Sequence, residues 1–223
     1  RIARMDSDTM RGADDYEIVL ERFRRGELDI LIGTQMIAKG LHFPNVTLVG
    51  IINADLGLTM PDFRANERTF QLITQVAGRA GRGDIRGEVI IQTHNPENET
   101  ILYAANRDYD GFSKFDLEFR ELLDYPPYTH LITVFFRGED ESKLAEYASA
   151  FTAEVNHYVH DEIRIAGPSP APIERIKGKF RYMLVIRGRR MKILKQALRV
   201  LALHRPVPKG IDVYVDVDAQ SLL

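Results

Sequence analysis

Two consecutive prolines stand past the middle of the chain, in Tyr125-Pro126-Pro127-Tyr128. Proline offers no backbone N–H and disfavours helical geometry in the residue before it, so a helix arriving from upstream must stop here. The segment before the break, 96–123, is mostly helical in character, and a different pattern begins after it. A chain of 223 residues suits two domains. The boundary falls at the prolines, giving 1–125 and 126–223.

In the first part, residues 1–5 alternate and read as a short edge strand. Asp6, Ser7, Asp8 and Thr9 are good helix N-cap types. Tyr16, Val19, Leu20 and Phe23 then recur at helical spacing, with Gly26 placed as a helix stop. Residues 29–33 and 46–52 read as short buried strands, separated by a loop or short helix with Gly40 and Pro44 as breakers. Phe70, Ile73, Val76 and Ala77 mark a helix over 66–76 that runs into a glycine-rich stretch, and 88–93 is a third strand. Strands alternating with helices predict an α/β unit, a parallel sheet with flanking helices.

The second part predicts a strand at 131–137 and a long helix marked by Leu144, Ala148, Phe151, Val155 and Tyr158. A short strand at 163–166 precedes Gly-Pro-Ser-Pro-Ala-Pro. Residues 173–176 and 182–187 then pair across the basic turn Lys177-Gly178-Lys179. A last helix through Ile193, Leu194, Ala197, Leu198 and Leu201 leads to a last strand at 211–217. This is a small α+β domain of split βαβ type.

Acidic and basic residues nearly cancel, at a formal charge of -2. Any nucleic-acid contact therefore depends on local clusters. The absence of cysteine excludes disulfides and thiolate metal sites within the chain, and the six histidines lack metal-ligand spacing. The longest apolar runs fall far short of a bilayer span, and the first residues are not a signal peptide. The chain opens at Arg1 without a methionine, as expected of a piece of a longer protein.

Two stretches carry chemistry. In Gln75-Val-Ala-Gly-Arg79-Ala-Gly-Arg82-Gly83, two arginines three residues apart each follow a glycine at a helix end. Arginine stays ionised and donates a planar fork of hydrogen bonds, which suits charge on a transferring phosphoryl group. Taken alone, such a pair also reads as surface arginines in a flexible loop. The second stretch, Gly33-Thr34-Gln35-Met-Ile-Ala-Lys39-Gly40-Leu-His42-Phe-Pro44, follows a strand and offers a hydroxyl, an amide, a lysine and backbone N–H groups to a phosphate chain. Alone it is equally an ordinary crossover.

In this order and spacing, the two stretches resemble the fifth and sixth motifs of superfamily 2 helicases. The resemblance implies a partial RecA-like lobe. Gly33, Thr34, Gln35 and Lys39 would contact DNA; Arg79 and Arg82 would be arginine fingers, with Gln75 and Gly40 at the nucleotide. Lys39 also suits a solvated surface, and Gln75 a helix-to-loop cap. Many members carry an aspartate where His42 stands, which puts a direct nucleotide role for that side chain in doubt. Asp62-Phe63-Arg64-Ala-x-Glu67-Arg68, the segment from Ala166 to Ala171 and the closing strand extend the resemblance, over essentially the whole chain, to the bacterial replication-restart helicases.

That family implies ATP with Mg²⁺ as cofactor, 3′-to-5′ translocation, forked or single-stranded DNA, primosome proteins and single-strand-binding protein as partners, and a bacterial cytoplasm without a membrane. Its phosphate-binding loop and acidic Mg²⁺ motif belong to the first lobe and do not occur here, so the chain alone should hydrolyse no ATP. The family's cysteine-rich zinc module would lie upstream of Arg1.

Two clusters remain open. Asp62, Arg64, Glu67 and Arg68 either form helix-start ion pairs, contributing about 0–1 kcal/mol each, or couple lobes or DNA, with Arg64 as a DNA contact. Arg175, Lys177, Lys179, Arg181, Arg187, Arg189 and Arg190 surround Phe180 and Tyr182 on the expected hairpin. This suits backbone contact plus base stacking, led by Lys177, Lys179, Phe180 and Arg181, or simply a solvated hairpin. A non-catalytic module binding branched DNA or single-strand-binding protein is the alternative function.

Overall fold

A computed structural model describes residues 1–6, 13–34, 43, 45–78, 80, 87–158, 162–195, 198 and 206–222. The chain forms two compact units. One comprises Arg1–Met60 with Ala65–Ser113; the other comprises Pro61–Arg64 with Lys114–Leu223.

In the first unit, β1 (Ile2–Met5) pairs in parallel with β2 (Ile30–Gly33), Met5 opposite Gly33. Between them lies α1 (Ala13–Arg24), with Asp14 and Asp15 in its first turn and Arg22 and Arg24 in its last. That polarity complements the helix dipole. The chain then turns at Gly26, whose φ of 72° belongs to the left-handed region that glycine tolerates. A second parallel pair joins β3 (Leu48–Ile51) and β4 (Glu88–Ile91) through the short α2 (Asp55–Leu58) and the longer α3 (Ala65–Ala77).

Helix α4 (Glu99–Asn106) follows, its first turn capped by the Asn98 side chain, which accepts from the Ile101 N–H. Helix α5 (Tyr109–Leu122) ends before the two prolines. Ala65, Thr69, Phe70, Ile73 and Ala77 form the buried stripe of α3. Phe70 stacks on Phe112 with ring centroids 4.1 Å apart, and Ile101 and Ala104 of α4 complete this small core.

Instead of one continuous sheet, the described residues form two separate two-stranded parallel sheets. The strands expected to be buried, β2 and β3, are not: exposed and half-buried residues alternate along them, as they do along β4. Ile30, Ile32, Leu48 and Ile90 are exposed, since alternate residues of a strand point to opposite faces.

The second unit is a four-stranded sheet in the order β6-β7-β5-β8, with every neighbouring pair antiparallel: β5 (His130–Gly138), β6 (Ile163–Ile176), β7 (Lys179–Gly188) and β8 (Ile211–Val217). Strands β5 and β6 therefore run the same way with β7 between them, which is the split βαβ arrangement. Helix α6 (Glu141–Tyr158) connects them, and the Asp140 carboxylate accepts from the Lys143 N–H at its start. Ile132, Val134 and Phe136 alternate on β5 and, with Leu184 and Ile186 of β7, meet Leu144, Ala148, Phe151 and Val155 of α6 in the main core. The opposite face of the sheet carries a smaller cluster of Leu131, Val185, Ala219 and Leu222, with Phe63, Tyr125 and Met183 packed against it.

The proline-rich segment does not separate two short strands. It lies within β6, with register shifts between Ala166 and Ser169 and between Pro170 and Arg175. An edge strand has one side with no ladder partner, so prolines are tolerated there. Gly167 is required at the first irregularity: its φ is 104°, and a Cβ would lie 2.7 Å from the Met183 carbonyl oxygen. Of the expected last helix, residues 191–195 and 198 are helical, while Ala197 and Leu201 lie outside the described residues.

Candidate functional site

Because β1 and β2 are parallel, their carboxyl ends share one edge, the side on which ligands bind in open α/β sheets. Gly33 ends β2 at that edge, and Thr34, the next residue, is exposed. Asp6, just past β1, is buried and ion-paired with Arg4. Gln35, Lys39, Gly40 and His42 lie outside the described residues.

The rotation of α3 about its axis follows from its buried stripe. With Phe70, Ile73 and Ala77 turned inward, Gln75 on the last turn is exposed. The helical ladder continues as the Gly78 N–H donates to the Thr74 carbonyl, then tightens as the Ala80 N–H donates to the Ala77 carbonyl. Arg79 and Arg82 lie outside the described residues.

A polar tie not anticipated from the sequence joins the carboxyl ends of β3 and β4. The Asp55 carboxylate accepts from the Thr93 hydroxyl at 2.8 Å and from the His94 N–H at 2.9 Å. Those donors, the backbone one first, hold Asp55 below its ordinary value. A hint was present in an aspartate soon after one strand and a threonine after the next, but only pairing brings them together.

The Asp62–Arg68 cluster has a long-range role. Asp62 accepts from the Arg64 N–H at 2.9 Å, the Ser221 hydroxyl at 2.7 Å and the Leu222 N–H at 3.1 Å. The Arg64 guanidinium donates to the Gln220 side-chain oxygen at 3.1 Å. Glu67 accepts from the Gln71 side-chain amide one helical turn on.

The basic hairpin is real, but much of its charge is committed to the fold. Lys177 and Gly178 make the turn with positive φ, and Lys177 is exposed. Lys179 pairs with Asp212 at 3.0 Å. Phe180 packs on the main core with the Arg175 guanidinium 4.7 Å from its ring centre. Arg181 is 6% exposed, donates to the Ile173 carbonyl and lies over the Phe135 ring. For Phe180 or Arg181 to reach a nucleic acid, each would have to leave these partners. Further along, a cleft of about 550 Å³ gathers Arg164, Arg187, Arg189 and Arg190 with Asp124 and Glu162. Arg164 pairs with Asp124, and Arg190 with Glu162.

The first of these regions falls in the class of carboxy-terminal helicase domains: residues 1–84 match the family described as the helicase conserved C-terminal domain. Residues 121–220 match the primosomal protein N C-terminal domain. Replication restart protein PriA of Bacillus subtilis (strain 168) is 43% identical over 204 residues, covering 92% of this chain and 25% of that protein. The PriA proteins of Synechocystis and Treponema pallidum are 38% and 39% identical across 100% of this chain, which covers 26% and 34% of theirs. The chain belongs to the PriA family, as its motifs implied, and spans about a quarter to a third of the length of these relatives. Among the described residues no helix is long and apolar enough to cross a membrane, and no group of three or more His, Cys, Asp or Glu is placed to hold a metal ion.

Proposed function

We propose that this chain is the carboxy-terminal part of an ATP-dependent 3′-to-5′ DNA helicase that restarts replication at stalled or branched forks by loading the primosome. The observation that carries the reading is the co-occurrence, on one chain, of a helicase-type amino-terminal match and a primosomal carboxy-terminal match. In this reading 1–125 is the carboxy-terminal part of the second RecA-like lobe with its trailing helices, and 126–223 a separate α+β domain. The intact protein would act in the bacterial cytoplasm on forked or single-stranded DNA, with primosome proteins and single-strand-binding protein as partners.

ATP bound with Mg²⁺ supplies the transferable phosphoryl group in the intact protein. Arg79 and Arg82 would offset charge on that group, Gln75 would orient a water or phosphate oxygen, and Gly40 would belong to the loop that meets the nucleotide. The exposure of Gln75 on the last turn of α3 suits this role, since a group meant for a ligand from another lobe must face outward. Gly33, Thr34, Gln35, Lys39 and Arg64 form part of the DNA track. Lys177, Lys179, Phe180 and Arg181 add contacts in the second unit, with Lys177 the most readily available. A zinc module belongs upstream of Arg1. The isolated chain should hydrolyse no ATP.

Arg82→Ala in the intact protein tests the reading. Loss of an arginine finger lowers DNA-stimulated ATPase by about 10³-fold or more; an unchanged rate removes the finger. The second reading, a non-catalytic binding module, draws on the separate main core of the second unit. It requires salt-sensitive binding of forked DNA with no dependence on Arg82.

A further inference from the structure

The four-stranded sheet of the second unit has two edges, β6 and β8, and they differ in kind. Strand β6 contains Pro168, Pro170 and Pro172, and two register shifts interrupt its ladder. Prolines and irregularities of this sort keep an edge from recruiting another chain. Strand β8 has neither. It pairs with β5 from Gly138↔Ile211 to Ile132↔Val217 without a shift. Among the described residues no strand pairs with its other side. An even strand with one side unpaired is a template for a further strand, because its outward N–H and C=O groups lack ladder partners.

The side chains of β8 decide which strand fits. Ile211 and Val213 pack against the main core. Tyr214, on the opposite face, stacks on Phe135 with ring centroids 4.9 Å apart. Tyr214, Val215 and Val217 nonetheless remain exposed. The charged residues in the strand and directly after it are Asp212, Asp216 and Asp218. Lys179 pairs with Asp212 at 3.0 Å, and the Asp218 carboxylate lies 2.9 Å from the His130 Nδ1. Asp216 is exposed and has no partner among the described residues. It falls on the same face as Tyr214, two residues away.

This charge excludes two occupants. A phosphate backbone is repelled by it. A second copy of β8 pairing antiparallel about Tyr214 would set Asp212 opposite Asp216, and parallel in-register pairing would set Asp216 against Asp216; like charges directly opposite are destabilising. A cationic side chain on an added strand instead meets both a carboxylate and an aromatic ring, each attractive to it.

We propose that the free edge of β8 is a docking site for an extended basic segment of a partner protein, which adds as a fifth strand and sets a lysine or arginine against Asp216. Apolar residues of the segment cover Val215 and Val217. Backbone pairing supplies the attachment, and the aspartate selects the sign of the charge. The site needs no nucleotide, so its test reads binding alone.

The probe is a fluorescein-labelled peptide of alternating valine and arginine, titrated into the intact protein and followed by anisotropy. Two further peptides carry glutamate in place of arginine, or proline at the central valines. The basic peptide should bind saturably, the proline peptide about fivefold or more weakly for want of ladder hydrogen bonds, and the glutamate peptide weakest. Asp216→Asn should raise the Kd of the basic peptide about two- to fivefold, and Asp216→Lys about tenfold. Glu97→Lys, the same charge change at an exposed position of the first unit, should leave it unchanged. No saturable binding to wild type overturns the proposal, as does equal binding of the proline or glutamate peptide. So does a Kd that Asp216→Lys leaves unchanged or that Glu97→Lys raises as much. Sedimentation that shows dimers of the intact protein dissolved by the basic peptide gives the edge to a second copy and overturns it too.

Discussion

Phe63 and Tyr125 stack face to face, with ring centroids 5.5 Å apart and planes 14° from parallel, although one precedes α3 and the other follows α5. Each ring also has a guanidinium over it, Arg120 for Phe63 and Arg187 for Tyr125. The arrangement ties the four-residue insertion to the sheet of the second unit without any backbone pairing. An aromatic pair of this kind contributes about 0.5–1.5 kcal/mol beyond the area it buries. A double-mutant cycle of Phe63→Leu and Tyr125→Leu, followed by urea denaturation, should return a coupling energy in that range. A coupling near zero would mean that the rings are merely neighbours.

Gly167 offers a second check on packing. Alanine there is forced into φ of 104° and sets its Cβ against the Met183 carbonyl, so Gly167→Ala should cost about 1–3 kcal/mol or more. Gly178 also has positive φ, at 82°, but nothing lies within 4 Å of its would-be Cβ. Gly178→Ala should therefore cost only about 1 kcal/mol. Thermal denaturation of the pair separates conformational strain from collision.

Asp55 predicts a pH dependence. Its folded value lies below the ordinary 3.8 because the His94 N–H and the Thr93 hydroxyl donate to the charged form. A depressed carboxylate contributes stability that is fully present above 3.8 and is lost as the pH falls below it toward the folded value. Asp55→Asn should accordingly be less stable than wild type at neutral pH, with the gap closing in acid below 3.8. Denaturation curves across that interval would show the convergence, and a gap independent of pH would refute the assignment.

Lys177 and Arg181 sit four residues apart on one hairpin and should behave differently. Lys177 is exposed, so Lys177→Ala should leave stability unchanged and, if the turn meets DNA, reduce the salt slope of binding by about one. Arg181 is buried and donates to the Ile173 carbonyl. Arg181→Ala should lower stability by about 1–3 kcal/mol, whatever it does to DNA. Fluorescence binding titrations at two salt concentrations, paired with melting curves, distinguish the two outcomes.

Local chemistry determined a good deal by itself. The period of Phe70, Ile73 and Ala77 set the buried face of α3, and with it the exposure of Gln75. Gly26 ended α1's segment, the alternation from Ile211 to Val217 made β8, and the prolines at 126 and 127 stopped the helical run. All of these depend on neighbours within a few residues, where steric and hydrogen-bonding preferences act directly. The motif spacing around Thr34 and Gln75 likewise made the family legible.

Tertiary structure alone decided the rest. The prolines between Gly167 and Pro172 stood outside the expected strands until β7 supplied one ladder partner and left the other side of β6 free. Arg181 reads as a surface cation until Ile173 and Phe135 close over it from two other strands. Asp62 reads as a helix-start acid until Ser221 and Leu222 arrive from the end of the chain. A charged side chain makes its commitment according to which donors and rings reach it in space, and sequence distance carries no record of that.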